Sequence, residues 1–555
     1  MALFAMSVCL GANPGRAQDS QTNLQAGASA DAQADENDSL EGVVLNNLTH
    51  EPISRALVAS PDNRFATMTD GQGHFEFRFP KGGTGIANRP TALVARKPGY
   101  LSEPSPETEL PASTKQVTLA LTPEGLLIGH VSLPSSEAAD RIQLQLYRRQ
   151  VEDGRAHWVP QGQTVARSTG DFRFAELSPG TYKLMTLEQL DRDQTATPGG
   201  EQVYGFAPVY FPSAKTFAGA ESIELAAGQT FQADLAVVRL PYFRVRVSVA
   251  GVLPTAGGIS VSVAAGSQGP GYSLGYNQQT HTIEGALPQG VYSLEGLGFG
   301  PAVSVGESTL TVHDAPVSVG SMTMVSAQSI RVDVKEEFSS PPEIDDVENA
   351  NLSKVSRSVS GPRSYLNVRL EPAEDFAQHG GPSERPPANA RDESLVLDGV
   401  VPGRYWVHVD SSRGYASSVT SGGMDLLQEP LVVANGSSRP IEITMRDDTA
   451  QLEGTVEGAD NATGDPNPFA HVYCVPILDS PGRFAEVATA PDGTFILPNL
   501  PPGTYRALAF KRAQPNLEFR NPEVMRAYES SGGLVHLTSG QKDHLTLSLV
   551  SKGSE

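Results

Sequence analysis

Apolar positions along this chain come in short runs that alternate with polar ones at a period of two, the signature of half-buried strands. Tyr182/Leu184, Tyr292/Leu294 and Tyr405/Val407/Val409 each line one face of such a strand. The runs also recur at long range. Strand-rich openers at Leu40–Leu45, Leu126–Leu133, Phe243–Val249, Ile330–Val334 and Leu452–Val456 are answered by closers at Val117–Leu121, Ala233–Val238, Ser321–Val325, Ile441–Met445 and Leu545–Leu549. Successive openers lie on the order of 85–120 residues apart, the size of a small β-sandwich. The pattern predicts an all-β chain: a tandem array of about five small Greek-key β-sandwiches with very little helix.

A turn motif repeats with the strands. It reads Leu177-Ser178-Pro179-Gly180-Thr181-Tyr182, Leu287-Pro288-Gln289-Gly290-Val291-Tyr292, Val400-Val401-Pro402-Gly403-Arg404-Tyr405 and Leu500-Pro501-Pro502-Gly503-Thr504-Tyr505. Proline presets φ, and glycine admits backbone conformations closed to other residues. The tyrosine then opens a strand, and its ring is expected to anchor the core at the sandwich edge. The units are assigned to residues 40–123, 124–241, 242–328, 329–448 and 449–551. In the fifth, seven strands are expected at Leu452–Val456, His471–Pro476, Glu486–Thr489, Thr494–Leu497, Tyr505–Phe510, Leu534–Leu537 and Leu545–Leu549, with one short helix within Asn521–Tyr528. Unit four carries two polar inserts, roughly Ser339–Ser360 and Gln378–Asp392, read as loops.

Unit one has the most recognisable sequence: Gly42-Val43-Val44, Pro52-Ile53, Ala56-Leu57-Val58, Thr67 to Phe77 with Asp70-Gly71-Gln72-Gly73 at its centre, and Leu93 to Tyr100 ending Lys97-Pro98-Gly99-Tyr100. It resembles the carboxypeptidase regulatory-like domain, a transthyretin-like sandwich. Unit five repeats the pattern with Thr489, Asp492-Gly493-Thr494-Phe495 and the Pro502-Gly503-Thr504-Tyr505 turn. Unit two, through Pro208-Val209-Tyr210-Phe211-Pro212 and Ile223–Gln229, is similar to multi-module secreted proteins of soil acidobacteria. The resemblance implies transthyretin-like modules that are accessories rather than catalytic domains, in a family where related folds bind starch or act as adhesin repeats.

Charge and termini narrow the setting. With 63 acidic against 41 basic residues the formal charge is −22, which argues against nucleic acid or anionic lipid as a direct partner. Residues 1–17 read as a signal peptide, with an apolar run from Ala2 to Gly11 and a small-x-small site at Gly15-Arg16-Ala17. Residues 18–39 read as an acidic, solvated linker. No later run is long enough to span a bilayer. The expected location is therefore secreted, periplasmic or cell-surface. Cleavage after Ala17 leaves Cys474 alone, so no intrachain disulfide is expected and packing must supply the stability.

Candidate chemistry is sparse. No histidines cluster in sequence, the nearest pair being His536 and His544, and His281-Thr282-Ile283-Glu284 is a four-residue match to a metal-binding spacing in a β context. Gly271-Tyr272-Ser273-Leu274-Gly275 matches a nucleophile-elbow pattern without the helix the elbow requires, and is read as a loop. Asp70 and Asp492 are read as hairpin-turn residues rather than calcium ligands. Four residues beyond the turn tyrosines stand Thr186, Gly296, Val409 and Ala509, which lack the glutamate of an internal isopeptide bond. No catalytic, cofactor-binding or metal-ligating residue is assigned, and no cofactor is expected.

One binding candidate remains. In Tyr405-Trp406-Val407-His408-Val409-Asp410 the alternation turns Tyr405 inward and places Trp406, His408 and Asp410 together on the other face. An aromatic ring beside polar groups suits a sugar; the competing reading is a ring that covers a module contact. A second group, Tyr204, Phe206, Tyr210 and Phe211, is expected to pack beneath its own proline-rich loop. Two functions follow as expectations, an exported, non-catalytic structural or interaction protein built as a rod of modules and a carbohydrate-binding accessory with starch-binding-like modules; a third, a peptidase or carboxypeptidase-associated activity, is kept only because names in the resembled family invite it. The expected partners are a polysaccharide or another exported or cell-envelope protein.

Overall fold

The computed structural model describes residues 37–80, 89–101, 108–109, 115–134, 142–191, 202–254, 257–266, 269–300, 303–318, 320–339, 365–377, 379–386, 394–436, 438–458, 470–477, 480 and 482–550. The signal peptide, most of the acidic linker and much of both polar inserts lie outside the described residues.

One pairing scheme recurs in all five units. Each opener pairs in parallel with its closer and antiparallel with the strand that follows the hairpin. In unit one, Asn37–Asn46 lies between His74–Pro80 and Gln116–Leu121. In unit two, Gly125–Ser132 lies between Asp171–Leu177 and the pieces Thr230–Gln232 and Leu235–Ala236. Arg239–Gly251 lies between Thr282–Leu287 and Ser321–Ser326, Gln328–Glu337 between Leu395–Val400 and Ile441–Arg446, and Ala450–Glu457 between Thr494–Leu500 and Lys542–Ser548. A second antiparallel set faces each, as His471–Pro476, Ala485–Ala488, Gly503–Phe510 and Gly533–Leu537 do in unit five. The chain is a tandem series of β-sandwiches, one apolar core per unit.

The four turn tyrosines lie in those cores, all at most 2% exposed. Each hydroxyl donates to the carbonyl four residues upstream: Tyr182 to Ser178 at 2.5 Å, Tyr292 to Pro288 at 2.8 Å, Tyr405 to Val401 at 2.8 Å and Tyr505 to Pro501 at 2.6 Å. This is a tyrosine corner, in which one ring fills the core and ties down the turn that precedes its strand. Burying such a ring removes roughly 150–250 Å² from water, a contribution of several kcal/mol.

A second repeated device was not anticipated. In units one, two and five the opener has a glycine directly opposite a phenylalanine: Gly42 to Phe75, Gly129 to Phe172, Gly454 to Phe495. A Cβ at any of the three would collide with a carbonyl of the closer (Val117, Ala233 or Leu545) and crowd the facing ring. The glycine lets the ring lie flat across the opener.

Several boundaries differ from expectation. The first strand begins at Asn37, so residues 37–39 belong to the sheet rather than to the linker. Units two and three share one strand: Arg239–Gly251 pairs at its start with Val203–Phe206 and at its end within unit three. The expected boundary at 241/242 therefore falls inside continuous structure. All seven strands of unit five are present, and the helix spans Pro522–Arg526 with Asn521 as its N-cap. Part of the second insert in unit four is tied down, by bridges of Ser383 to Arg369 and Glu384 to Leu397.

The connections are very short. Thr122, Pro123 and Glu124 join units one and two, Ala327 alone joins three and four, and Asp447, Asp448 and Thr449 join four and five. Asp448 is held from both sides: Tyr415 Oη donates at 2.9 Å, Arg446 Nε at 3.0 Å, and Ser539 Oγ of unit five at 2.5 Å. Those donors hold its carboxyl far below the usual carboxylate range. Unit five also returns to unit two, so the expected rod of modules is corrected to a chain that folds back on itself.

Candidate functional site

The fold-back is made by a hairpin of unit two, Gln143–Glu152 and Arg155–Val165. Its turn is Asp153-Gly154, both at positive φ (45° and 73°), the conformation that matches the twist of a two-residue hairpin. The tip reaches unit four, where Leu366–Pro372 pairs with Gly403–Ser411, and the loop of unit five that leads into the helix.

Trp406, His408 and Asp410 do share the face opposite Tyr405, and each is engaged by a neighbouring unit. The Arg155 guanidinium lies 3.5 Å from the Trp406 ring centroid, a close cation–π stack. His408, its side chain 10% exposed, has Nε2 2.5 Å from Glu371 Oε2 and Nδ1 3.9 Å from Asp153 Oδ2. Asp410 is 3.3 Å from Arg483 of unit five and 3.9 Å from Arg369. Trp406 and His408, on the outer face, are half-buried rather than exposed, because that face is covered as well. A sugar platform needs an open ring face, and the face Arg155 occupies is closed.

Around this strand lies a network that sequence reasoning missed. His157 of the hairpin has Nδ1 3.2 Å from Asp375 Oδ1 and Nε2 3.5 Å from Glu371 Oε1, so Glu371 sits between two imidazoles from different units. Asp153 receives Arg155 at 3.2 Å and Arg520 of unit five at 2.9 Å. Arg149 forms a two-pronged pair with Glu518. Burial beside Arg520 lowers the Arg155 guanidinium to about 10. The bond to Asp375 raises the His157 imidazole, and the His408 contact lowers the Glu371 carboxyl. Apolar contacts flank the charges. Phe376 packs on Tyr147 and Phe217 at 5.4 and 4.8 Å, and Phe519 stacks on Phe484 at 4.2 Å while its ring crowds Gly154. The one sequence signal for this junction was Asp153-Gly154 between alternating runs.

The other candidates are absorbed structurally. Ser273 lies in a two-residue strand, Tyr272–Ser273, rather than a loop, and its amide donates to Glu188 at 3.2 Å. Tyr276 Oη lies 3.0 Å from His281 Nδ1, while Glu284 faces Arg246 at 3.1 Å and accepts from Thr282 Oγ1 at 2.6 Å. Asp70 accepts from the amides of Gln72 and His74, and Asp492 from Thr494, as turn residues do. Buried Thr69 and Thr489 each accept an amide from the neighbouring strand of the same sheet, from Ala56 and Ala470. The aromatic group of unit two does not stay together. Phe206 enters the unit core, Phe211 packs on Phe231, Tyr204 is partly exposed under Arg239, and Tyr210 bonds to Pro270 of unit three. Cys474 is buried, its thiol pushed up to about 12.

No residue group among those described has the makeup of a metal site, and no helix among them is long and apolar enough to cross a membrane. No family model matches the chain, and no curated protein matches it. Solved structures similar to it include the Bacillus anthracis TIE protein (10% identity over 77% of this chain and 74% of that one, TM-score 0.13). The open conformation of the pilus adhesin SpaC from Lactobacillus rhamnosus GG is similar at 11% identity over 52% of this chain and 43% of that one, TM-score 0.15. The shaft pilin SpaA from the same organism is similar at 11% identity over 40% of this chain and 99% of that one, TM-score 0.17. The chain spans less than half of the SpaC chain, and with TM-scores this low none of these likenesses fixes a function.

Proposed function

We propose that this is an exported, non-catalytic structural or interaction protein, whose carboxypeptidase regulatory-like modules form a preset scaffold. The observation that carries this reading is the use made of the polar groups. The side chains best suited to bind or react, Trp406, His408, Glu371, Asp153 and Arg520, hold units two, four and five against one another. Connections of one to three residues add to the effect, because short links cost little ordering entropy and restrict how modules reorient. Such a scaffold presents its outer surfaces, with a charge of −22 over the whole chain, at fixed relative positions to another exported or cell-envelope component.

The test is a paired assay on purified residues 37–550. The expected result is no turnover of peptide, ester or polysaccharide substrates, and saturable retention on isolated cell envelopes that survives Trp406→Ala. Turnover that a chelator or a serine-directed inhibitor abolishes contradicts the reading. Retention on a defined glycan that Trp406→Ala removes would instead support the carbohydrate-binding role.

A further inference from the structure

The contact between units two and four places two imidazoles among arginines and carboxylates, and nothing in a purely structural role requires that choice. From unit two the hairpin brings His157, with Glu152 beside the turn, Asp153 in it and Arg155 behind it. From unit four, Leu366–Pro372 brings Arg369 and Glu371, the loop after it brings Glu374 and Asp375, of which Glu374 is turned to Arg404 at 3.6 Å, and Gly403–Ser411 brings His408 and Asp410. From unit five come Arg520, on Asp153, and Glu518, on Arg149.

The two imidazoles differ from the other members in one respect. The arginines and carboxylates stay charged across the physiological range, whereas an imidazole does not. Both His157 Nε2 and His408 Nε2 are buried, point at the same Glu371 carboxylate, and make no hydrogen bond of good geometry. With His157 neutral, Glu371 has no ion pair with that imidazole and relies on His408 and on the charges of Arg369 and Arg155. With His157 protonated, that carboxylate gains an ion pair from unit two, and His157 is also attracted to Asp375.

We propose that His157, Glu371 and His408 form a pH-sensitive clamp, which holds the unit-two hairpin on unit four while His157 carries its proton and releases it when that proton is lost. The direction follows from linkage. The bond to Asp375 raises His157 above its ordinary value, so its contribution is complete below that ordinary value and is lost as pH rises through the raised one. Glu371 is shifted the opposite way, so its contribution disappears only in strong acid, as pH falls through its lowered value. The closed state therefore prevails from mild acid to neutrality and weakens in alkali. Each linked proton can change the closed-to-open ratio by up to about tenfold per pH unit. The clamp stands on the junction's geometry, whatever partner the scaffold meets.

The test uses the full chain with spin labels at two exposed positions, Gln163 in the unit-two hairpin and Ser412 beside the unit-four strand, with distances read between about pH 5 and 9. The expected result is one short separation in acid, joined by a longer population that grows with pH around an apparent midpoint above about 6.5, the unperturbed histidine value. H157Q with H408Q is expected to show the longer population at every pH with native circular dichroism. E188Q, which removes a titrating group outside the junction, is expected to keep the wild-type response. A wild-type distance that does not change with pH overturns the proposal. So does a wild-type response that survives the double substitution or is abolished by E188Q.

Discussion

Arg520 of the fifth unit and Asp153 of the second are 367 residues apart in sequence, and their side chains meet at 2.9 Å. Arg520 Nε also donates to the Asp153 carbonyl at 2.9 Å, so the hairpin turn is gripped through both its side chain and its backbone. This contact turns a series of sandwiches into a folded-back assembly.

The grip depends on the turn. Gly154 sits at φ 73°, where a Cβ is unfavourable, and any Cβ there would also meet the Phe519 ring. Gly154→Ala should destabilise the junction by about 1–3 kcal/mol and leave the five cores intact. Limited proteolysis checks this: cuts should appear around residues 150–158 and 515–521 before any unit unfolds.

Trp406 separates the two readings of its strand. The account predicts that Trp406→Ala removes the Arg155 stack and loosens the contact between units two and four, lowering the junction's melting transition, with no glycan affinity to lose. Differential scanning calorimetry beside a glycan array measures both effects.

Glu188 lies near the joint of units two and three and faces Tyr242, and burial raises its carboxyl to about 7. An acid whose folded pKa exceeds its unfolded one stabilises most below the unfolded value, and that contribution is lost as pH rises through the folded value. Stability should therefore fall by about 3 kcal/mol between roughly pH 4.5 and 7 on account of this group. Glu188→Gln should flatten that slope in chemical unfolding followed across the same range.

The tyrosine corners give a graded series. Tyr505→Phe keeps the ring and loses the bond to the Pro501 carbonyl, at a cost of about 0.5–1.5 kcal/mol, whereas Tyr505→Ala should cost about 3–5 kcal/mol. Gly454→Ala, which drives a methyl into the Leu545 carbonyl, belongs with the severe changes. Urea unfolding of unit five reports all three.

The fold was legible because its determinants are local. Period-two runs and the Pro-x-x-Tyr or Pro-x-Gly-x-Tyr spacing mark strands and turns directly, and all seven strands of unit five follow from them. The Gly42, Gly129 and Gly454 device escaped notice because an isolated glycine in a strand shows its purpose only when the facing ring is known. The junction was hidden for a deeper reason. His157, Glu371 and Arg520 are unremarkable in their own segments, and their association depends on how whole units pack. Trp406, His408 and Asp410 share one face of their strand, yet alternation tells which residues share a face and not what covers it.

The central claim is that units two and five meet. The most direct measurement is the distance between spin labels at exposed Glu152, beside the hairpin turn, and exposed Glu523, in the short helix of unit five. The account predicts a narrow distribution under about 30 Å near neutral pH, broadened by Gly154→Ala. Two sandwiches, each about 30 Å along its strands, would separate these units in a linear string, so a distribution centred beyond about 60 Å would contradict the account.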